Sequence, residues 1–164
     1  MERLILLRHA KAEVDAASGQ DFDRGLTERG LRDAALIAQT LAGAGFSPDL
    51  ALVSSAARAT QTWDAAAPFF PGARVERVPA LYHIEPDGIL TLARAQGAHA
   101  NTVLVVGHNP GLGQLAALMA QDSATPTDVK RRLVLGFPTA AAAVIELDGS
   151  AVRLFAPKAL GGGA

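Results

Sequence analysis

The sequence predicts an α/β protein, a three-layer α/β/α fold with a mostly parallel central sheet, and three observations predict it. Short aliphatic runs end abruptly at charged or small polar residues, the mark of strands buried on both faces of a sheet. Between them lie stretches with helical apolar spacing, so strands alternate with helices. The chain has 164 residues, 49% of them hydrophobic, and a domain of that size buries roughly 70% of its unfolded surface without needing a staple.

The elements follow in order. Leu4-Ile5-Leu6-Leu7 is the first expected strand and stops at Arg8-His9. Thr27 is placed to cap a helix whose Leu31, Ala34, Ile37, Ala38 and Leu41 share one face, with Gly43 and Gly45 to end it. Leu50 to Val53 is the second strand, and the Ala-rich stretch from Ala56 to Ala67 is a helix that stops before Pro68. Arg74 to Val78 is a weaker strand candidate, followed by a helix from Pro86 or Asp87 to Gln96. Thr102 to Val106 is a strand, and Asn109-Pro110 reads as a capping residue followed by proline at the first helical position. Ala142 to Ile145 and Val152 to Phe155 are the last strands. Residues 1–160 are expected to form one domain, and residues 161–164 a flexible C-terminal tail.

Composition excludes several classes of function. Fifteen Lys plus Arg balance sixteen Asp plus Glu for a formal charge of −1, which leaves no basic excess for nucleic acid. The absence of cysteine removes disulfides, thiolate metal sites and a thiol nucleophile. The most apolar stretch, Leu133 to Ile145, is interrupted by Pro138 and Thr139 and falls short of the about 20 apolar residues of a membrane span. The N-terminal segment lacks the form of a secretory signal. A cytoplasmic protein without membrane or nucleic-acid partners is expected, and its oligomeric state is left open.

Ligands of parallel sheets bind at the carboxyl ends of the strands. Arg8 and His9 follow the first strand, Ser54-Ser55 and then Arg58 follow the second, and Gly107-His108-Asn109-Pro110 follow the strand that begins at Thr102. Two arginines and two histidines on one edge suit a phosphate dianion, because guanidinium forks bind its oxygens in pairs and imidazole adds a donor. A neutral imidazole can also attack phosphorus and carry the phosphoryl group to water. Asn109, Lys11 and Arg24 are secondary candidates for binding the anion. Lys11 and Arg24 either face the pocket or are solvated charges.

These segments resemble the histidine phosphatase superfamily, which includes phosphoglycerate mutases and acid phosphatases. Leu7-Arg8-His9-Ala10-Lys11 is similar to its Arg-His signature, and Arg24-Gly25-Leu26-Thr27-Glu28-Arg29-Gly30 to its turn into the first helix. Ser54 to Thr62 resembles its second-arginine segment, and Val106-Gly107-His108-Asn109 its second-histidine segment. The resemblance implies a phosphoglycerate mutase-like fold, His9 as phosphate-accepting nucleophile, Arg8 and Arg58 as phosphate clamps and His108 as a further donor, with no metal and no cofactor. The short length, the Arg8-His9-Ala10-Lys11-Ala12-Glu13 start and Phe137-Pro138-Thr139-Ala140 resemble the SixA-like phosphohistidine phosphatases. The substrate so implied is a phosphorylated protein carrying phosphohistidine, or else a small phosphate ester.

One position departs from the family pattern. Where larger relatives carry a proton-donating glutamate two residues after a leucine, this chain has His83, with Glu85 close behind. Either is a candidate general acid. Without a carboxylic acid there, P–N substrates are favoured over alkyl esters. No insertion is long enough to cover the pocket, so an open site is expected.

Three other readings compete. Gly111-Leu112-Gly113-Gln114-Leu115-Ala116 fits the dinucleotide pattern, but its turn is too long and Asp128-Val129-Lys130-Arg131-Arg132 stands where a ribose-binding acid should end a strand. His9, Glu13, Asp15, Asp21 and Asp23 form a loose set of metal-ligating types without ligand spacing. A non-catalytic phosphohistidine-binding adaptor would be marked by loss of the nucleophile, yet His9 and both arginines are present.

Overall fold

The computed structural model describes residues 1–163. Its regular elements are β1 (Arg3–Arg8), α1 (Glu28–Gly43), β2 (Leu50–Val53), α2 (Ala57–Ala66), β3 (Arg74–Arg77), α3 (Pro86–Gln96), β4 (Thr102–Gly107), α4 (Gly111–Gln121), α5 (Thr127–Leu135), β5 (Ala142–Glu146) and β6 (Val152–Phe155). The six strands form one sheet in the order β3-β2-β4-β1-β5-β6. β3, β2, β4 and β1 run parallel to one another, whereas β5 runs antiparallel to both β1 and β6. The sheet is therefore mixed.

Strand side chains alternate between faces, and this splits the core in two. Leu4, Leu6, Leu52, Val103 and Val105 pack with Ile89 of α3, Leu112 and Leu115 of α4 and Leu133 of α5. Ile5, Leu7, Val53, Leu104 and Val106 pack on the other face with Ile37 and Leu41 of α1 and Trp63 of α2. Helices thus cover both faces, and β1 and β4 lie buried at the centre. Among the described residues no helix is long and apolar enough to cross a membrane.

Thr27 caps α1 as expected, its Oγ1 accepting from Gly30 N–H at 3.0 Å. One local expectation needs correction. Pro110 lies outside α4, which begins at Gly111. Asn109 still acts as a cap, since its Oδ1 accepts from Gly113 N–H at 3.2 Å. Helix α5 has no counterpart in the sequence reading, because only Leu133 of its nine residues is buried and one apolar contact gives no period to read. At the C-terminus Gly162 N–H donates to Pro157 O at 2.8 Å and Gly163 N–H to Asp33 Oδ1 at 3.0 Å. Ala164, the last residue of the expected tail, lies outside the described residues.

Candidate active site

Strand register builds the site. Leu7 of β1 stands opposite Val106 of β4, and Arg8 opposite Gly107, so the two strands end level and each is followed by a histidine. His9 N–H extends the ladder by donating to Gly107 O at 3.0 Å. The two rings come within 5.2 Å, centroid to centroid. β2 lies on the other side of β4, bringing Ser54 to the same end. Helix α2 starts just beyond it and presents Arg58 from its first turn.

The His9 ring is oriented by one short bond. Its Nδ1 lies 2.8 Å from Ala10 O, and a carbonyl only accepts, so Nδ1 carries the proton and Nε2 a lone pair. Arg58 Nε–H donates to that Nε2 at 3.3 Å. Burial pushes the His9 pKa down to about 4, with the Arg58, Arg8 and Arg24 charges adding to the effect and the Ala10 bond opposing it. The ring is neutral near pH 7. Thr62 Oγ1 fixes the next peptide by accepting from Ala10 N–H at 2.9 Å while donating to Arg58 O at 2.7 Å.

Arg58 is held from three sides. Besides its bond to His9, it donates to Asp21 O at 2.9 Å and to Asp21 Oδ2 at 3.1 Å. Tyr82 O–H donates to the same Oδ2 at 2.5 Å, and Arg24 Nε–H donates to Oδ1 at 2.9 Å. The Tyr82 bond, then Arg24 and Arg58, hold the Asp21 carboxyl well below the usual carboxylate range, against a desolvation that opposes them. The same bond pushes the Tyr82 hydroxyl up.

Arg8 donates to Phe137 O at 2.9 Å, and its Nε is buried without a partner. Burial, then the Arg58 charge, lowers its pKa. His108 Nε2 lies 2.7 Å from Ser54 Oγ, and its Nδ1 is buried without a partner. Burial first, then His9 and Arg58, pushes the His108 pKa down to about 3. Unpartnered buried nitrogens on two residues of a cationic edge are positioned to serve an anion.

The structure thus brings His9, Arg8, Arg58 and His108 together. The His83 ring lies against Tyr82 in a tilted arrangement, ring centroids 4.0 Å apart and planes at 50°. His83 and Glu85 share with His108 and Asn109 the lining of a cleft of about 160 Å³. Asn109 Nδ2–H donates to Phe137 O at 2.8 Å, the carbonyl that also holds Arg8. Arg24 is committed to Asp21 and to Glu13 O. The Lys11 side chain is exposed, and its carbonyl accepts from Thr27. Among the described residues no three His, Asp or Glu gather as metal ligands.

His9 and Arg58 are only 7% and 6% exposed, and the Asp21 segment and Tyr82 pack against the Arg58 guanidinium. Sequence reasoning weighed Asp21 only as one of a loose set of metal-ligating types, and it passed over Tyr82 and the hydroxyl of Ser54 as site residues. The signal for Ser54 was its position at a strand end. Asp21 offered none, since it reaches Arg58 across 37 residues.

The profile of the histidine phosphatase superfamily, branch 1, matches residues 4–86. A protein of Mycobacterium tuberculosis without an assigned function is 34% identical over 143 residues, 87% of this chain and 88% of that protein. The chain belongs to the histidine phosphatase superfamily. This membership removes the dinucleotide reading, and Gly113 has a packing role: a Cβ there would stand 3.0 Å from Phe137 Cβ and 3.1 Å from Asn109 Oδ1. Among solved structures of the superfamily, one from Agrobacterium tumefaciens, provisionally named phosphohistidine phosphatase SixA, is 34% identical with a TM-score of 0.82. It covers 95% of this chain and 99% of its own. A protein histidine phosphatase SixA solved with tungstate is 27% identical with a TM-score of 0.70, over 96% and 99% of the two chains.

Proposed function

We propose that the chain is a metal-independent phosphatase that removes the phosphoryl group from protein phosphohistidine through a phospho-His9 intermediate. The observation that carries this reading is the His9 ring: Nδ1–H tied to Ala10 O, a neutral Nε2 lone pair, and guanidinium groups beside it. Nε2 attacks phosphorus while the bond from phosphorus to the substrate nitrogen breaks, its electron pair leaving with the substrate imidazole. As Nε2 gives up its lone pair the ring gains positive charge, which the Ala10 carbonyl stabilises through Nδ1–H. Arg8, Arg58 and His108 bind the equatorial oxygens, on which charge is spread in the transition state. Water then attacks phospho-His9, the P–Nε2 bond breaks and its pair returns to Nε2, releasing inorganic phosphate.

The leaving group supports phosphohistidine over an alkyl ester. A phosphoimidazole protonated on its far nitrogen departs as neutral imidazole, whereas an alkoxide needs an acid. Tungstate bound to the related SixA protein is consistent with an oxyanion pocket on this fold. A second reading, hydrolysis of small phosphate esters, is favoured by one observation. Glu85 and His83 line the same cleft as His108, where either could protonate an ester oxygen.

Wild-type and His9→Ala protein, both in chelator, assayed on a phosphohistidine peptide and an aryl phosphate test the proposal. Preference of the wild type for the peptide, and loss of both activities in the variant, is the expected result. Preference for the ester moves the substrate to the second reading. Phosphate binding without turnover of either moves the protein to the adaptor class.

A further inference from the structure

Ser54 is fully buried at the end of β2, and its Oγ is 2.7 Å from His108 Nε2. Ala56 N–H also donates to that oxygen, at 3.4 Å. Among the described residues the hydroxyl hydrogen then has one acceptor in reach, the His108 Nε2 lone pair. A neutral imidazole carries a single N–H, and the strongly lowered His108 pKa keeps the ring neutral near pH 7. With Nε2 accepting, the proton sits on Nδ1, the buried atom that has no partner. The opposite tautomer leaves the hydroxyl hydrogen unplaced and an unpartnered lone pair in a site built for an anion.

We propose that Ser54 is a positioning residue that sets the tautomer of His108, so that the neutral ring offers Nδ1–H to a phosphoryl oxygen. The device adds a donor without crowding a third positive charge beside Arg8 and Arg58. It rests on the phosphoryl-transfer reading of the site, and its test uses readouts that need no turnover.

Long-range ¹H–¹⁵N spectra of the His108 ring, recorded with inorganic phosphate titrations, decide it. In wild type Nδ1 is expected protonated and Nε2 bare. Ser54→Ala should shift the ring toward the Nε2–H form and weaken phosphate binding about tenfold, the scale for one hydrogen bond to a charged group. Ser54→Thr, which keeps the hydroxyl, should retain the wild-type tautomer. In a His108→Ala background Ser54→Ala should cost nothing further. An Nε2–H ring in wild type, or weaker phosphate binding in Ser54→Ala with the tautomer unchanged, would overturn the proposal. Failure of the wild type to hydrolyse any phosphoryl compound would instead overturn the phosphatase reading, while the ring nitrogens still decide the role of Ser54.

Discussion

In the proposed mechanism four side chains carry the chemistry, each through a specific atom. His9 offers the Nε2 lone pair, Arg58 the guanidinium that already touches it, Arg8 an unpartnered Nε, and His108 an unpartnered Nδ1. Arg58→Ala and His108→Ala should each lower kcat at least about 10²-fold, the scale for removing one preorganised donor. Steady-state kinetics checks this, and near-normal rates for either would remove that residue from the proposed role. The four residues were legible because each stands at or just beyond a strand end, where nothing about packing calls for a charge. Asp21 and Tyr82 were not. Their part depends on a loop folding across Arg58, and no local pattern encodes a contact between residues so far apart in sequence.

At the scale of elements, α1 is joined to the strand end that carries His9. Lys11 O accepts from both Thr27 N–H and Thr27 Oγ1, and Gly30 lies directly beneath that carbonyl. A Cβ at Gly30 would stand 2.1 Å from Lys11 O, a clash with backbone that cannot rotate away. Gly30→Ala, which on helix propensity alone would stabilise by up to about 1 kcal/mol, should instead destabilise by about 1–3 kcal/mol. Thermal unfolding should show Tm falling by at least about 2 °C, and an unchanged or raised Tm would contradict this packing. Strands β1, β2, β4 and β5 were readable from continuous apolar runs, since both of their faces are covered. The antiparallel direction of β5 was not, because burial on two faces looks the same whichever way a strand runs.

For the whole molecule, the site has a consequence for stability. His9 and His108 are held neutral by burial, with pKa values near 4 and 3 against an ordinary 6.5. In the unfolded chain both rings protonate as pH falls through about 6.5, so between that value and about 4 the unfolded state binds more protons than the folded one. Their contribution is fully present above pH 6.5 and is lost as pH falls toward 4. Thermal unfolding across that range should show Tm declining in wild type and a flatter profile in a His9→Ala, His108→Ala double variant. Equal slopes would contradict the buried, neutral rings. The sheet that imposes this burial also aligns the ends of β1, β2 and β4, and the cationic edge follows from that alignment.

The central claim is that His9 Nε2 takes up a phosphoryl group. Brief reaction with a phosphohistidine peptide followed by quenching at alkaline pH, which preserves phosphohistidine, and mass analysis of the His9-containing fragment tests it most directly. One added phosphoryl group on His9, absent from His9→Ala and accumulating when water attack is slowed, is the expected result. Phosphate release from wild type at full rate, with His9 never modified at any time sampled, would contradict the account.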